Sequence, residues 1–213
     1  MRATILICTY GSGEWAKRGA DTAAATHQPG CDVLAVHDAD ATLAEVRNAA
    51  AAEAAGDWLC FLDADDELAP GYIEEMGAAW MRGAIFEDWS PLLVPSVLMA
   101  DDPRAVPAIP DWHRDIYTLN CAVIGTLIRK ELFLEVGGFG DEPIYEDWAL
   151  WLRCIAKGTR MVPVPAAVYR YFPSRGSLRN VQDADVRERT YRDIRAAHSA
   201  VPRTVWAQAK ARR

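Results

Sequence analysis

No stretch of these 213 residues approaches the roughly 18 uninterrupted apolar residues that a membrane-crossing helix requires, although 51% of the chain is hydrophobic. Met1-Arg2-Ala3-Thr4 leads directly into a short apolar run of strand type, so neither a signal peptide nor a transmembrane segment is expected. Cysteine is scarce: Cys8, Cys31, Cys60, Cys121 and Cys154 are odd in number and include no CxxC pair. None of the four histidines stands at ligand spacing from a cysteine, which argues against a zinc centre. Reduced core thiols in a cytoplasmic protein are the expectation. Internal repeats and low-complexity linkers are also missing, so the length suggests one domain with a tail.

Charge is unevenly placed. The net charge is −7, yet from Arg170 onward eleven basic residues face four acidic ones. An acidic body suits a nucleotide only where the acids hold a metal. The basic tail suits a polyanion, an anionic membrane surface or simply the protein's own acidic body.

Residues 3 to 9 are apolar and rich in β-branched side chains, as in a strand buried on both faces. An Ala-rich helix over Trp15 to His27, a strand over Asp32 to His37, a helix over Ala41 to Ala55 and a strand over Trp58 to Leu62 come next. Pro70 is expected to open a third helix. This β-α alternation predicts a parallel sheet with ligands at the carboxyl ends of its strands, where Thr9, Asp38 and Asp63 stand. Further on, Pro91 to Met99 reads as a strand, Asp101 to Pro110 as a loop, and Asn120 to Ile128 as strand-like. Lys130 to Val136 reads as a short helix stopped by Gly137-Gly138, and Ile144 to Lys157 as an amphipathic helix with Glu146-Asp147 in its first turn. Val162 to Phe172 is strand-like, and Asp183 to Ala200 is a polar helix.

The chemistry centres on Asp63-Ala64-Asp65, delivered by an apolar strand. Alternate carboxylates at a strand end turn into one cleft, and two hard oxygen donors suit Mg²⁺ or Mn²⁺ shared with a nucleotide diphosphate. Alone, the triplet also fits a helix-capping turn, with Asp66 or Glu67 facing the helix that Pro70 opens. Glu146-Asp147 alone fits ordinary first-turn acids. Trp80, Trp89 and Trp112 fit either stacking surfaces or core.

Several motifs in order narrow the reading. Ile7-Cys8-Thr9-Tyr10, Val36-His37-Asp38-Ala39-Asp40, Arg47-Asn48-Ala49-Ala50 and Phe61-Leu62-Asp63-Ala64-Asp65-Asp66 are followed by Val136-Gly137-Gly138-Phe139 and by Glu146-Asp147-Trp148-Ala149-Leu150-Trp151-Leu152-Arg153. This series resembles the family 2 glycosyltransferases of the GT-A fold over most of residues 3 to 180. The resemblance implies a three-layer α/β/α sandwich. A Rossmann-like nucleotide-binding half would span 1–84, a mixed-sheet acceptor half 85–180, and a basic helical tail 181–213.

It also implies an inverting transfer of sugar from a nucleoside diphosphate, of uridine type, to a hydroxyl acceptor. Thr9 and Tyr10 would line the base and ribose pocket, Asp38 would accept from the base, and Arg47 would lie near base and diphosphate. Asp63 would touch ribose or metal-bound water, Asp65 would ligate Mn²⁺ or Mg²⁺, and Glu146 would belong to the nucleotide-sugar site. Asp147 would be the general base. The chain departs from the pattern at His37, which stands where an Asp is usual. Phe172 stands where a His is usual, with Arg175 or Arg179 as replacement cations on a closing loop.

Two other enzyme classes use related strings. Haloacid-dehalogenase-like phosphatases carry Asp-x-Asp after the first strand, whereas two β-α units precede it here. Nucleotidyltransferases share the layout, but a Gly-rich, Lys-bearing phosphate loop is missing after the first strand. A nucleotide-sugar binder without turnover is the non-enzyme alternative.

Overall fold

The computed structural model describes residues 1–83, 90–108, 116–173 and 183–199. It contains β1 (Ala3–Tyr10), α1 (Gly13–Ala25), β2 (Asp32–Asp38), α2 (Leu43–Glu53), β3 (Trp58–Phe61), β4 (Glu67–Leu68) and α3 (Tyr72–Gly83). After these come β5 (Leu92–Met99), β6 (Ile128–Arg129), α4 (Lys130–Glu135), α5 (Glu146–Ala156), β7 (Met161–Tyr171) and α6 (Ala184–Ala197).

The architecture is mixed α/β with two sheets. The first has the order β2-β1-β3-β6, parallel through β2, β1 and β3 and closed by antiparallel β6. The second has the order β4-β7-β5, with β7 antiparallel to β4 and parallel to β5. Reciprocal backbone hydrogen bonds of 3.0 Å between Leu93 and Leu127 join them. Helices α1 and α2 pack on β1 and β2, and α3 on β5 and β7. One buried cluster takes in β1, β3, β5, β7, α2, α3 and α5, including the fully covered Trp58, Trp148 and Trp151. No described helix is long and apolar enough to cross a membrane. All five cysteines are free, and Cys8, Cys60 and Cys154 are buried.

The early β-α alternation lies where the sequence predicts it. The strand expected over Asn120 to Ile128 does not form, apart from Ile128 in β6 and the bridge of Leu127 to Leu93. Two of its carbonyls are taken by side chains instead. Trp151 Nε1–H donates to Ala122 O at 3.3 Å, and the Tyr72 hydroxyl donates to Gly125 O at 2.7 Å. Gly125 lies against the Tyr169 ring so closely that a Cβ there would stand 2.3 Å from a ring carbon. A segment pinned by side-chain donors has no need of a ladder to satisfy its backbone.

The chain after Asp63 also differs from expectation. It turns, with Asp66 N donating to Asp63 O at 3.0 Å, and enters β4 before α3 begins at Tyr72, two residues beyond Pro70. The prolines of β7 do not end the strand. The β5–β7 register slips between Pro95 and Ser96, where the Ser96 hydroxyl donates to the Pro165 carbonyl at 3.0 Å. Prolines lack the ladder donor, and an irregularity absorbs the gap.

A side-chain tie joins α2 to the turn after α4. The Asn48 amide on α2 donates to Phe139 O and accepts from Phe139 N, both at 2.9 Å, which locks α2 onto the Gly137-Gly138 turn. Gly138 has φ of 66°, and a Cβ on it would stand 2.4 Å from Asn48 Oδ1. Asn48→Ala leaves a donor and an acceptor of one residue unpartnered, so urea denaturation is expected to show a loss of about 2 kcal/mol. An unchanged midpoint would count against this tie.

Candidate active site

A cleft of about 850 Å³ opens where the carboxyl ends of β1 and β3 meet the start of α5. Thr9, Tyr10, Arg47, Asp63, Asp65, Glu146 and Asp147 all line it, so seven of the sequence-derived candidates share one cavity. The second sheet adds Val97, Met99 and Tyr171, and α6 adds Tyr191.

Arg47 lies in its wall, with only 3% of its side chain exposed. Its Nη2 donates to Asp63 Oδ1 at 2.6 Å and its Nη1 to Glu146 Oε1 at 2.5 Å, while the guanidinium carbon sits 5.2 Å from the centre of the Phe139 ring. Burial opposes the charged guanidinium, but Asp63 and Glu146 outweigh it and hold the group protonated. Helix α2 presents Arg47 at a fixed height because its start is held by a reciprocal Thr42–Glu45 capping box.

The acids in and just after the Asp-x-Asp string meet different fates. Asp63 is the Arg47 partner, with 37% of its side chain exposed. Asp66 turns away from α3, contrary to the helix-facing expectation. Its Oδ2 accepts from the Tyr169 hydroxyl and its Oδ1 from Phe172 N, both at 2.8 Å. Burial, reinforced by Asp63 and Asp65, pushes its carboxyl up to about 8 against those two hydrogen bonds. Glu67 also turns away from the helix, pairing with Arg170 at 3.0 Å across β4 and β7. Carboxylate oxygens of Asp63, Asp65 and Asp66 lie within 4.8 Å of one another. Asp66 has both oxygens committed, so Asp63 and Asp65 are the hard donors suited to a divalent cation.

Asp147 comes two residues after Tyr145, whose left-handed backbone (φ 66°, ψ 24°) starts α5 and is the sole non-glycine positive φ among the described residues. Asp147 Oδ1 accepts from Asn120 Nδ2 at 2.9 Å and from Trp148 N at 2.8 Å. Burial first, and then Glu146, raise its carboxyl to about 7, against the Trp148 N–H and Arg47. Desolvation is the largest of these causes.

Other candidates lie elsewhere. Asp38 ends β2, exposed, with its Oδ1 accepting from Asp40 N at 3.0 Å, and it does not line the cleft. His37 Nδ1 is 3.0 Å from the Thr9 hydroxyl. Phe172 is buried, with Arg170 5.7 Å from its ring centre. Arg175, Arg179, Trp89 and Trp112 lie outside the described residues. Trp80 packs edge-on against Trp58 at 5.8 Å, a core role. The described part of the tail, 183–199, balances four arginines with four acids, so its basic excess rests on other residues. Sequence reading missed Asn120 and Tyr191, which carry no motif and reach the site across 27 and 73 residues.

This is a mixed α/β fold with mixed sheets of the GT-A type, as the motif series implied. Residues 11–86 match the family described as Glycosyl transferase family 2. Among solved structures, S. aureus TarS 1-349 in complex with UDP-GlcNAc is similar at a TM-score of 0.62 and 16% identity, over 91% of this chain and 65% of that one. TarS 1-349 without a named ligand gives 0.56 and 17%, over 81% and 60%. The complex with UDP gives 0.54 and 17%, over 82% and 61%. The chain thus spans under two thirds of the TarS chains it resembles. No curated protein sequence matches it.

Removing the central cation tests the electrostatics. Arg47→Met leaves Asp63 and Glu146 without their shared partner and is expected to cost about 3 kcal/mol in chemical denaturation. Arg47→Lys should recover only part of this, because an ammonium lacks the fork that reaches two carboxylates.

Proposed function

We propose that this chain transfers a sugar from a uridine-type nucleoside diphosphate to a hydroxyl acceptor, inverting the anomeric centre, with Asp147 as general base. The observation that carries the reading is the shared cleft. The Asp63–Asp65 pair after β3 and the neutral-range carboxylate at the start of α5 line one cavity and are linked through Arg47 and Glu146. The family match over 11–86 and the likeness to TarS crystallised with UDP-GlcNAc and UDP support it.

The Asp147 carboxylate accepts the proton of the acceptor hydroxyl as that oxygen attacks the anomeric carbon. The bond from carbon to diphosphate oxygen breaks, its electron pair leaves with the diphosphate, and attack from the opposite side inverts the configuration. A base with a pKa near 7 is matched to neutral pH, being ionised often enough to act and basic enough to take a proton. Mg²⁺ or Mn²⁺ held by Asp63 and Asp65 would supply counter-charge to the departing diphosphate. Thr9 and Tyr10, at the end of β1, are the base and ribose wall of this reading.

A panel of UDP-sugars assayed for turnover with Mn²⁺ tests the proposal. Asp147→Asn should lower turnover by about 10²-fold or more and leave donor binding within about twofold of wild type. Wild-type turnover in Asp147→Asn would remove the base assignment. Donor binding without turnover across the panel would favour the binder reading, which Phe172 motivates.

The pH dependence has a defined sign. Folding raises the Asp147 carboxyl from its ordinary 3.8 to about 7. Its contribution to stability is therefore full below about pH 4 and lost as pH rises through 7. Wild-type kcat/KM should climb through pH 7 over the same range in which Asp147→Asn becomes the more thermostable protein. A melting difference that stays constant from pH 5 to 8 would contradict the raised carboxyl.

A further inference from the structure

From Ile116 to Ala122 the loop beside α5 is anchored at every second residue. Trp148 Nε1–H donates to Ile116 O at 2.6 Å, and the Tyr191 hydroxyl donates to Thr118 O at 2.5 Å. Asn120 Nδ2 reaches Asp147 Oδ1 at 2.9 Å, and Trp151 Nε1–H reaches Ala122 O at 3.3 Å. The chain turns at 116–118 and bends at 119 and 122, and anchors on both sides hold this irregular loop around Asn120 although its side chain is exposed. Tyr191 is itself seated by ring contact with Trp148 at 5.4 Å, so α6 helps hold the loop.

Asp147 Oδ1 takes both available donors, the Asn120 amide and the Trp148 N–H. Oδ2 accepts from none of the described residues. We propose that Asn120 is a positioning residue for the reaction: its amide holds Asp147 so that Oδ2 is the oxygen that receives the acceptor proton. The inference rests on the proposed role of Asp147 as general base.

The charges acting on Asp147 are Glu146 on its own helix, Arg47 from α2 and Asp63 after β3. Tyr145 and Tyr191 are the titratable groups packed around the neighbouring Trp148. None of these charges belongs to the 116–122 anchors, so replacing Asn120 by alanine alters one donor and leaves the charge set in place.

The test is a ¹³C NMR titration of the Asp147 carboxyl in the ligand-free full chain, compared across wild type, Asn120→Ala and Asn120→Asp. Kinetics of the same proteins are measured with the UDP-sugar found active. A hydrogen bond to the ionised form lowers a pKa, so Asn120→Ala should raise the Asp147 midpoint by about half a unit. The isosteric Asn120→Asp, which adds a like charge, should raise it further. At pH 6.5, kcat should fall about threefold in Asn120→Ala, the same half unit read as a rate, with donor KM unchanged. A midpoint identical in all three folded proteins overturns the proposal whatever their activities. Wild-type turnover by Asp147→Asn overturns the base reading, and this inference with it, by a separate measurement.

Discussion

One buried cation sets the geometry of the cleft. Arg47 comes from α2, Asp63 from the turn after β3 and Glu146 from the first turn of α5, and the guanidinium bonds to both acids at hydrogen-bond distance. A guanidinium this enclosed cannot stay charged without partners, and it does not deprotonate. The three elements therefore assemble together, and the same contact that neutralises Arg47 fixes where Asp147, one residue past Glu146, enters the cleft. Asn48, next to Arg47, performs the matching backbone task on Phe139. The motifs Arg47-Asn48, Gly137-Gly138-Phe139 and Glu146-Asp147, far apart in sequence, are one packed junction.

Residue type does not decide what an acid does here. Asp63, Asp66 and Glu67 lie within five positions, yet one faces a buried arginine, one is closed beneath Tyr169 and the Phe172 backbone, and one pairs across two strands. The turn closed by Asp66 N and Asp63 O reverses the chain between them, sending Asp63 toward the first sheet's end and Glu67 into the second sheet. Asp66 thus fastens β7 to the end of β3.

The same geometry decides which parts were legible in the sequence. Strands buried on both faces announce themselves by composition, so β1 with Thr9 and Tyr10 at its end and β3 with the carboxylates after it are readable, as is α5 from its apolar stripe. The turn at Asp66 was not, because its partners Tyr169 and Phe172 are 103 and 106 residues away. Residues 120–127 misled for a related reason. Their apolar character reflects burial against α5 and Tyr169, whereas strand formation needs a partner ladder, and here indole and phenol donors take the carbonyls of Ala122 and Gly125. Asn120 and Tyr191 are invisible to motif reading because each acts through a single long-range hydrogen bond.

The start of α5 concentrates features that oppose stability. Tyr145 holds a left-handed backbone that costs a non-glycine residue on the order of 1 kcal/mol, and Asp147 is enclosed enough to resist ionisation. Neither feature serves the helix, since an ordinary cap with a solvated acid would be more stable. What tolerates them is the rest of α5, where Trp148, Ala149, Leu150, Trp151, Leu152, Cys154 and Ile155 are all buried in the common core. The apolar length of the helix fixes its first turn in place, so a strained tyrosine and a reluctant acid persist in the cleft wall. Such a pairing of a firm core with local strain is expected where position matters more than stability.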